Sequence, residues 1–273
     1  MTQETRGAGR GLLLVIAVAL LAVLGVVLAL KLGGGRRVRT EELNGAAELL
    51  RQMEAGDPDQ VVQVIRRQQK ARMAAQRDEL EEKLLSGEID VYSLFQDFAM
   101  FGDSRACVFY WFYLLPNERI LANPSNTIRT MEERIPDLVD LHPARVYIAY
   151  GVNDINIGFW ANKEEYTAEL EKILGEIEEA VPGIEIYVNS ILEVQDWALS
   201  KGAMWKYIPE YNEAIRVMCE AHGYTFIDNH PLTEAHQDLY DVDGIHFKEE
   251  FTKYWAINMI LATYFRGGEE DAA

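Results

Sequence analysis

Five short apolar runs, each followed by a stretch with helical spacing, constrain this chain most. The runs are read as strands at Phe98–Gly102, 119–122, 145–150, 184–189 and 224–227. The helical stretches lie near 105–115, 127–135, 163–180, 204–222 and 249–265. Strands that alternate with helices join in parallel through right-handed crossovers, and helices then cover both faces of the sheet. The expected fold class is α/β: a doubly wound, three-layer α/β/α domain with a five-stranded parallel sheet of flavodoxin-like order. Ligands in such a fold bind beyond the carboxyl ends of the strands.

What precedes the domain is different. Residues 11–30 contain no charge, and twenty helical residues span roughly 30 Å, the depth of a bilayer's hydrocarbon core. A cleaved signal peptide has a shorter apolar region and a small-residue cleavage site. Here Lys31, three glycines and Arg36-Arg37 follow, so the run is read as an uncleaved transmembrane helix. Basic residues flank it on both sides, which leaves the orientation open between a slight charge bias and the size and acidity of the rest.

Residues 1–40 hold six basic residues and one acid, in a chain whose net charge is −18. The remainder is therefore more acidic still. It is not suited to nucleic acid and is repelled by anionic lipid. The organisation expected is a tail at 1–10, a transmembrane helix at 11–30, a linker and helical stalk at 31–90, a domain at 91–267 and an acidic tail at 268–273. The stalk reading rests on a helix opened by Asp57-Pro58 and closed by Gly87, polar almost all round in its middle. No heptad survives that middle, so a stalk-mediated dimer is the lesser alternative. Cys107 and Cys219 are too few for a disulfide framework and are expected as buried thiols, with a single bridge as the alternative.

Three loops of the domain carry the chemistry. The first strand ends in Gly102-Asp103-Ser104, which places a hydroxyl at the strand edge beside the free N–H groups of a helix start. A plain helix cap is the competing reading of Ser104. The third strand runs into Gly151-Val152-Asn153-Asp154, where the Asn153 amide can donate to a developing oxyanion or simply satisfy a turn. Beyond the fifth strand, Asp243-Gly244-Ile245-His246 sets a carboxylate three residues before an imidazole, across a glycine turn. Metal binding by His230, His236 and His246 is an alternative, but their spacing fits no short ligand motif.

Taken together, Gly102-Asp103-Ser104, Gly151-Val152-Asn153-Asp154 and Asp243-Gly244-Ile245-His246 resemble the blocks of the SGNH, or GDSL-type, hydrolase family, over about residues 91–265. The resemblance implies that Ser104 attacks an ester carbonyl, His246 is its base and Asp243 orients His246. The oxyanion would be held by the Ser104 N–H, the Ser125 N–H and the Asn153 amide. The motif glycines are Gly102, Gly151 and Gly244. Ser125 departs from the family, which has a glycine in that block; a positive φ there would strain serine. Asp241 is a fallback for Asp243, and Asp228 is read as structural. No metal or organic cofactor is implied. The aromatic run 109–113 is read as core and helix packing, while Trp205 and Tyr207 either wall the crevice or pack.

The expected function is a membrane-tethered serine esterase acting on short O-acyl groups, acetyl above all, of a cell-envelope carbohydrate or another small ester, by hydrolysis or transfer. The catalytic domain would lie outside the cytoplasm. A lipase or lysophospholipase at the bilayer, and a non-catalytic module that keeps the fold, are the alternatives.

Overall fold

The computed structural model describes residues 58–266. The candidate membrane helix at 11–30 and the acidic tail lie outside the described residues. Among the described residues no helix is long and apolar enough to cross a membrane. The chain divides into two compact units, and the second, from Arg77 onward, contains the sheet.

The first helix, α1 (Pro58–Ser86), ends where Gly87 takes φ +78°. Its last turns belong to the second unit: Leu84 is fully buried among Val91, Phe98 and Phe109, and the Lys253 ammonium donates to the Leu85 carbonyl at 2.7 Å. The compact unit thus starts before residue 91, because leucines at the end of α1 enter its core.

The elements that follow are β1 (Phe98–Gly102), α2 (Val108–Trp111), β2 (Ile120–Ala122), α3 (Ile128–Glu132), α4 (Ile135–Leu141), β3 (Arg145–Ala149), α5 (Val152–Ile157), α6 (Lys163–Ala180), β4 (Glu185–Asn189), α7 (Ile208–His222), β5 (Thr225–Ile227), α8 (His230–Ala235) and α9 (Glu249–Tyr264). All strand pairs are parallel, in the order β2-β1-β3-β4-β5. This is the flavodoxin-like order, and the chain changes direction across the sheet between β1 and β3. Gly102 pairs with Ala122 on one side and Ala149 on the other, so the loops leaving β2, β1 and β3 emerge side by side.

Period-two alternation splits the core into two faces. Ala99, Phe101, Val146, Ile148 and Ile186 point to one, where α6 supplies Leu170, Ile173 and Ile177 at helical spacing. Phe98, Met100, Tyr147 and Tyr187 point to the other, against Trp255 and Ile260 of α9. Rings of Phe95, Tyr147 and Tyr187 run across that face with centroids 5.5 and 5.2 Å apart. The three layers are those expected of a doubly wound sheet.

One helix is shorter than its sequence suggests. The apolar stretch 105–115 is helical only over Val108–Trp111. Tyr113 adopts φ +56°, and the Leu114 and Leu115 N–H groups both fold back onto the Phe109 carbonyl. Phe109 is buried, but Trp111, Phe112 and Tyr113 reach the surface, so only part of the aromatic run packs in the core. Helices α4, α5 and α8 fall where the sequence reading had loops. Cys107 and Cys219 are buried free thiols.

Candidate active site

At the end of β1 the chain turns in very little space. A Cβ on Gly102 would lie 2.4 Å from the Ala106 Cβ and 3.1 Å from the Ala149 carbonyl oxygen, so any larger residue would push β1 and β3 apart. Asp103, almost wholly buried, closes the turn: its Oδ1 accepts the Arg105 N–H at 2.9 Å and its carbonyl accepts those of Ala106 and Cys107. Capping by Asp103 leaves the Ser104 hydroxyl free. It is not a helix cap; its Oγ lies 2.8 Å from His246 Nε2.

His246 comes from the segment between β5 and α9. An antiparallel bridge joins Tyr240 to Phe247, and the Asp241 N–H donates to the His246 carbonyl at 2.8 Å, closing a tight turn. Inside the turn Asp243 Oδ1 accepts the N–H groups of Ile245 (2.8 Å) and His246 (2.9 Å), while Oδ2 meets His246 Nδ1 at 2.5 Å. Partial burial opposes the charge on Asp243. The bonds from the His246 ring and from the two N–H groups outweigh it and hold the carboxyl down at about 2. An ionised carboxylate takes Nδ1–H, which leaves the Nε2 lone pair facing the Ser104 hydroxyl. A hydroxyl, an imidazole and a carboxylate in this chain can deliver an alkoxide-like nucleophile and carry its proton away.

The loop after β3 supplies the third part. Gly151 takes φ +128°, and a Cβ there would lie 2.4 Å from Ile191. The turn opens α5 and carries Asn153, whose Nδ2 donates to the Asn126 carbonyl at 3.0 Å. That bond spends one of two amide hydrogens and ties α5 to the loop after β2. Ser125, in that same loop, is exposed and has φ +65°, the conformation that favours glycine. Among the described residues neither the Ser104 N–H nor the Ser125 N–H has an acceptor. Three donors on adjacent loops can thus face one developing oxyanion.

Beneath these groups lie buried polar residues to which the sequence reading gave no role. Asp154 is 1% exposed; its Oδ1 accepts the Ile128 N–H at 2.9 Å and its Oδ2 has no partner. Burial pushes its carboxyl up to about 7, against the pull of the Ile128 bond. Arg105 is 5% exposed and donates through Nη1 to the Leu192 carbonyl. A charged residue directly after Ser104, between apolar runs, was the one signal available for it. Trp205 is buried and fixes α5 by donating to the Val152 carbonyl at 2.7 Å, so it packs behind the Asn153 loop and does not wall the crevice.

Other candidates fall away from this centre. His230 pairs with Glu193 at 2.9 Å, and His236 stacks on Tyr254 with centroids 3.9 Å apart, so the three histidines serve three separate environments. Asp241 accepts the Val242 N–H and Asp228 accepts the His230 N–H, both as local turn acceptors.

No curated protein matches the chain. Among solved structures it is similar to a lipase/acylhydrolase from Enterococcus faecalis, at 16% identity and a TM-score of 0.48, over 61% of this chain and 95% of that one. It is also similar to a GDSL-like lipase from Bacteroides thetaiotaomicron (17%, TM-score 0.47, 62% and 86%). A catalytic mutant of an acetylxylan esterase from Geobacillus stearothermophilus aligns at 15% identity, with a TM-score of 0.47, over 62% and 93%. The model of the GDSL-like Lipase/Acylhydrolase family matches residues 109–252, a span that takes in Asn153, Asp243 and His246. A match over more than half the chain makes this protein a member of the GDSL-like lipase/acylhydrolase family.

Proposed function

We propose that this protein is a serine esterase that hydrolyses, or transfers, short O-acyl groups, acetyl foremost, on a cell-envelope carbohydrate. It is tethered to the membrane through residues 11–30, with its catalytic domain outside the cytoplasm. The observation that carries the catalytic reading is the continuous chain Ser104 Oγ–His246 Nε2 (2.8 Å) and His246 Nδ1–Asp243 Oδ2 (2.5 Å). The uncharged run at 11–30 and the acidity of the rest support the placement.

In this mechanism Ser104 Oγ attacks the ester carbonyl carbon while His246 Nε2 takes the hydroxyl proton. Negative charge moves to the carbonyl oxygen, where the Ser104 and Ser125 N–H groups and the second amide hydrogen of Asn153 receive it. Collapse breaks the bond to the leaving alkoxide, to which His246 returns the proton. Water, or an acceptor hydroxyl, then loses a proton to His246 and attacks the acyl-enzyme. Asp243, ionised throughout, steadies the imidazolium in both halves.

A second reading, a lipase at the bilayer, is favoured by one observation: the exposed side chains of Trp111, Phe112 and Tyr113. The deciding experiment presents the purified protein with acetyl, butyryl and long-chain aryl esters, with Ser104→Ala as control. Short chains should be preferred, and activity should vanish in the variant. Preference for long chains in micelles would favour the lipase.

A further inference from the structure

A guanidinium buried without partners for its donors is costly. Arg105 is 95% buried, yet only Nη1 is hydrogen-bonded, to the Leu192 carbonyl; Nε and Nη2 are buried and have none. Among the described residues no carboxylate lies within 4 Å of it, Asp103 included. Its guanidinium sits 5.7 Å from the centre of the Phe247 ring, next in sequence to His246. One side chain thereby touches three segments: the nucleophile turn from which it springs, the segment after β4, and the segment that carries the histidine.

Arg105 also lines a small cavity of about 10 Å³, with Asp103, Tyr150, Ser190 and Trp255 among its walls. That volume is near the minimum for one water, and a water needs two to four polar partners. Arg105 Nε and Nη2, two arms of one fork, can both donate to it. A halide is larger than water and would bring its charge against buried Asp103.

We propose that this cavity holds one ordered water on Arg105 Nε and Nη2, and that Arg105, steadied by it, is a positioning residue that sets Ser104 against His246. The role rests on the esterase reading; the water does not. Arg105 reaches no substrate, so its loss should act on the chemical step and leave binding alone.

The test has two arms on the full chain. In the first, a crystal structure at a resolution that shows waters should reveal a single water within hydrogen-bond reach of Arg105 Nε and Nη2. An empty cavity, or one that fills with bromide on soaking, overturns the proposal. In the second, Arg105→Lys and Arg105→Met are compared with wild type well below their melting temperatures. A displacement of the reacting atoms by about 1 Å costs on the order of 10²-fold, so kcat should fall ten- to a hundredfold in Arg105→Met. It should fall less in Arg105→Lys, with KM changed less than about twofold in both. Labelling of Ser104 by a small fluorophosphonate should slow in parallel. If folded Arg105→Met keeps wild-type kcat and labelling, the positioning role is wrong. Should Arg105→Met not fold, an unchanged kcat in Arg105→Lys overturns it instead. If wild type shows no Ser104-dependent hydrolysis, the esterase reading fails, while the crystallographic arm still decides the water.

Discussion

Asp154→Asn isolates the price of burying a charge beside the candidate oxyanion loop. Asp154 keeps Oδ1 on the Ile128 N–H and leaves Oδ2 buried without a partner. Its carboxyl, ordinarily near 3.8, is pushed up to about 7 by burial. Between those values the folded protein holds a proton that the unfolded chain has released. Folding therefore takes up a proton, and stability falls as pH rises through that window. Asparagine keeps an acceptor for Ile128 and cannot ionise. Its own buried amide adds a cost that does not change with pH and cancels in the comparison. From pH 5 to pH 8 the wild type should lose about 2–3 kcal/mol that the variant does not. For a domain of this size that is roughly 5–10 °C of melting temperature. The assay is thermal denaturation of both proteins at pH 5 and pH 8. Wild type and variant that respond equally to pH would refute the claim that Asp154 is buried and pays for its charge.

Asn153→Ala should lower kcat by roughly 10²–10³ with folding intact, the usual loss for one oxyanion donor, and a change below threefold would remove Asn153 from that role. Ser125→Gly relieves a left-handed serine costing about 1 kcal/mol and should keep or raise activity; a clear fall would mean that the hydroxyl itself contacts substrate. Asp243→Asn favours the wrong imidazole tautomer and should cut kcat severely in a protein that still folds. Because the Asp243 carboxyl is held at about 2, it stays ionised far below neutral pH, and its stabilising pairing is lost only as pH falls from about 4 through 2. The full-length protein should sediment with membranes and lose that property when residues 11–30 are deleted.

What the sequence disclosed follows the range of the forces involved. Strand β1 was legible because all five residues are buried and the apolar run is unbroken, and α6 because its apolar stripe repeats through eighteen residues. Asp243 and His246 were legible as a pair because they are three residues apart and their contact is local. The contact between Ser104 and His246, 142 residues apart, has no local signature; only the set of three motifs suggested it. The length of α2 was misread because nothing in its composition announces that Tyr113 turns left-handed. Arg105 and Asp154 were passed over as residues without a role because charged side chains are normally solvated. Their hydrogen-bond partners, the Leu192 carbonyl and the Ile128 N–H, are distant in sequence, and composition does not reveal them. Ser125 is the intermediate case: the motif marked a glycine position, and the backbone there has a positive φ.

The central claim is that Ser104 is a nucleophile driven by His246. Covalent labelling with a fluorophosphonate, mapped by peptide mass and followed over time, tests it most directly. A single adduct should form on Ser104, slow by orders of magnitude in His246→Ala, and disappear in Ser104→Ala together with ester hydrolysis. The double variant should hydrolyse little worse than either single one, since the two residues act as a unit. An adduct on another residue, or ester hydrolysis that survives Ser104→Ala in the folded protein, would contradict the account.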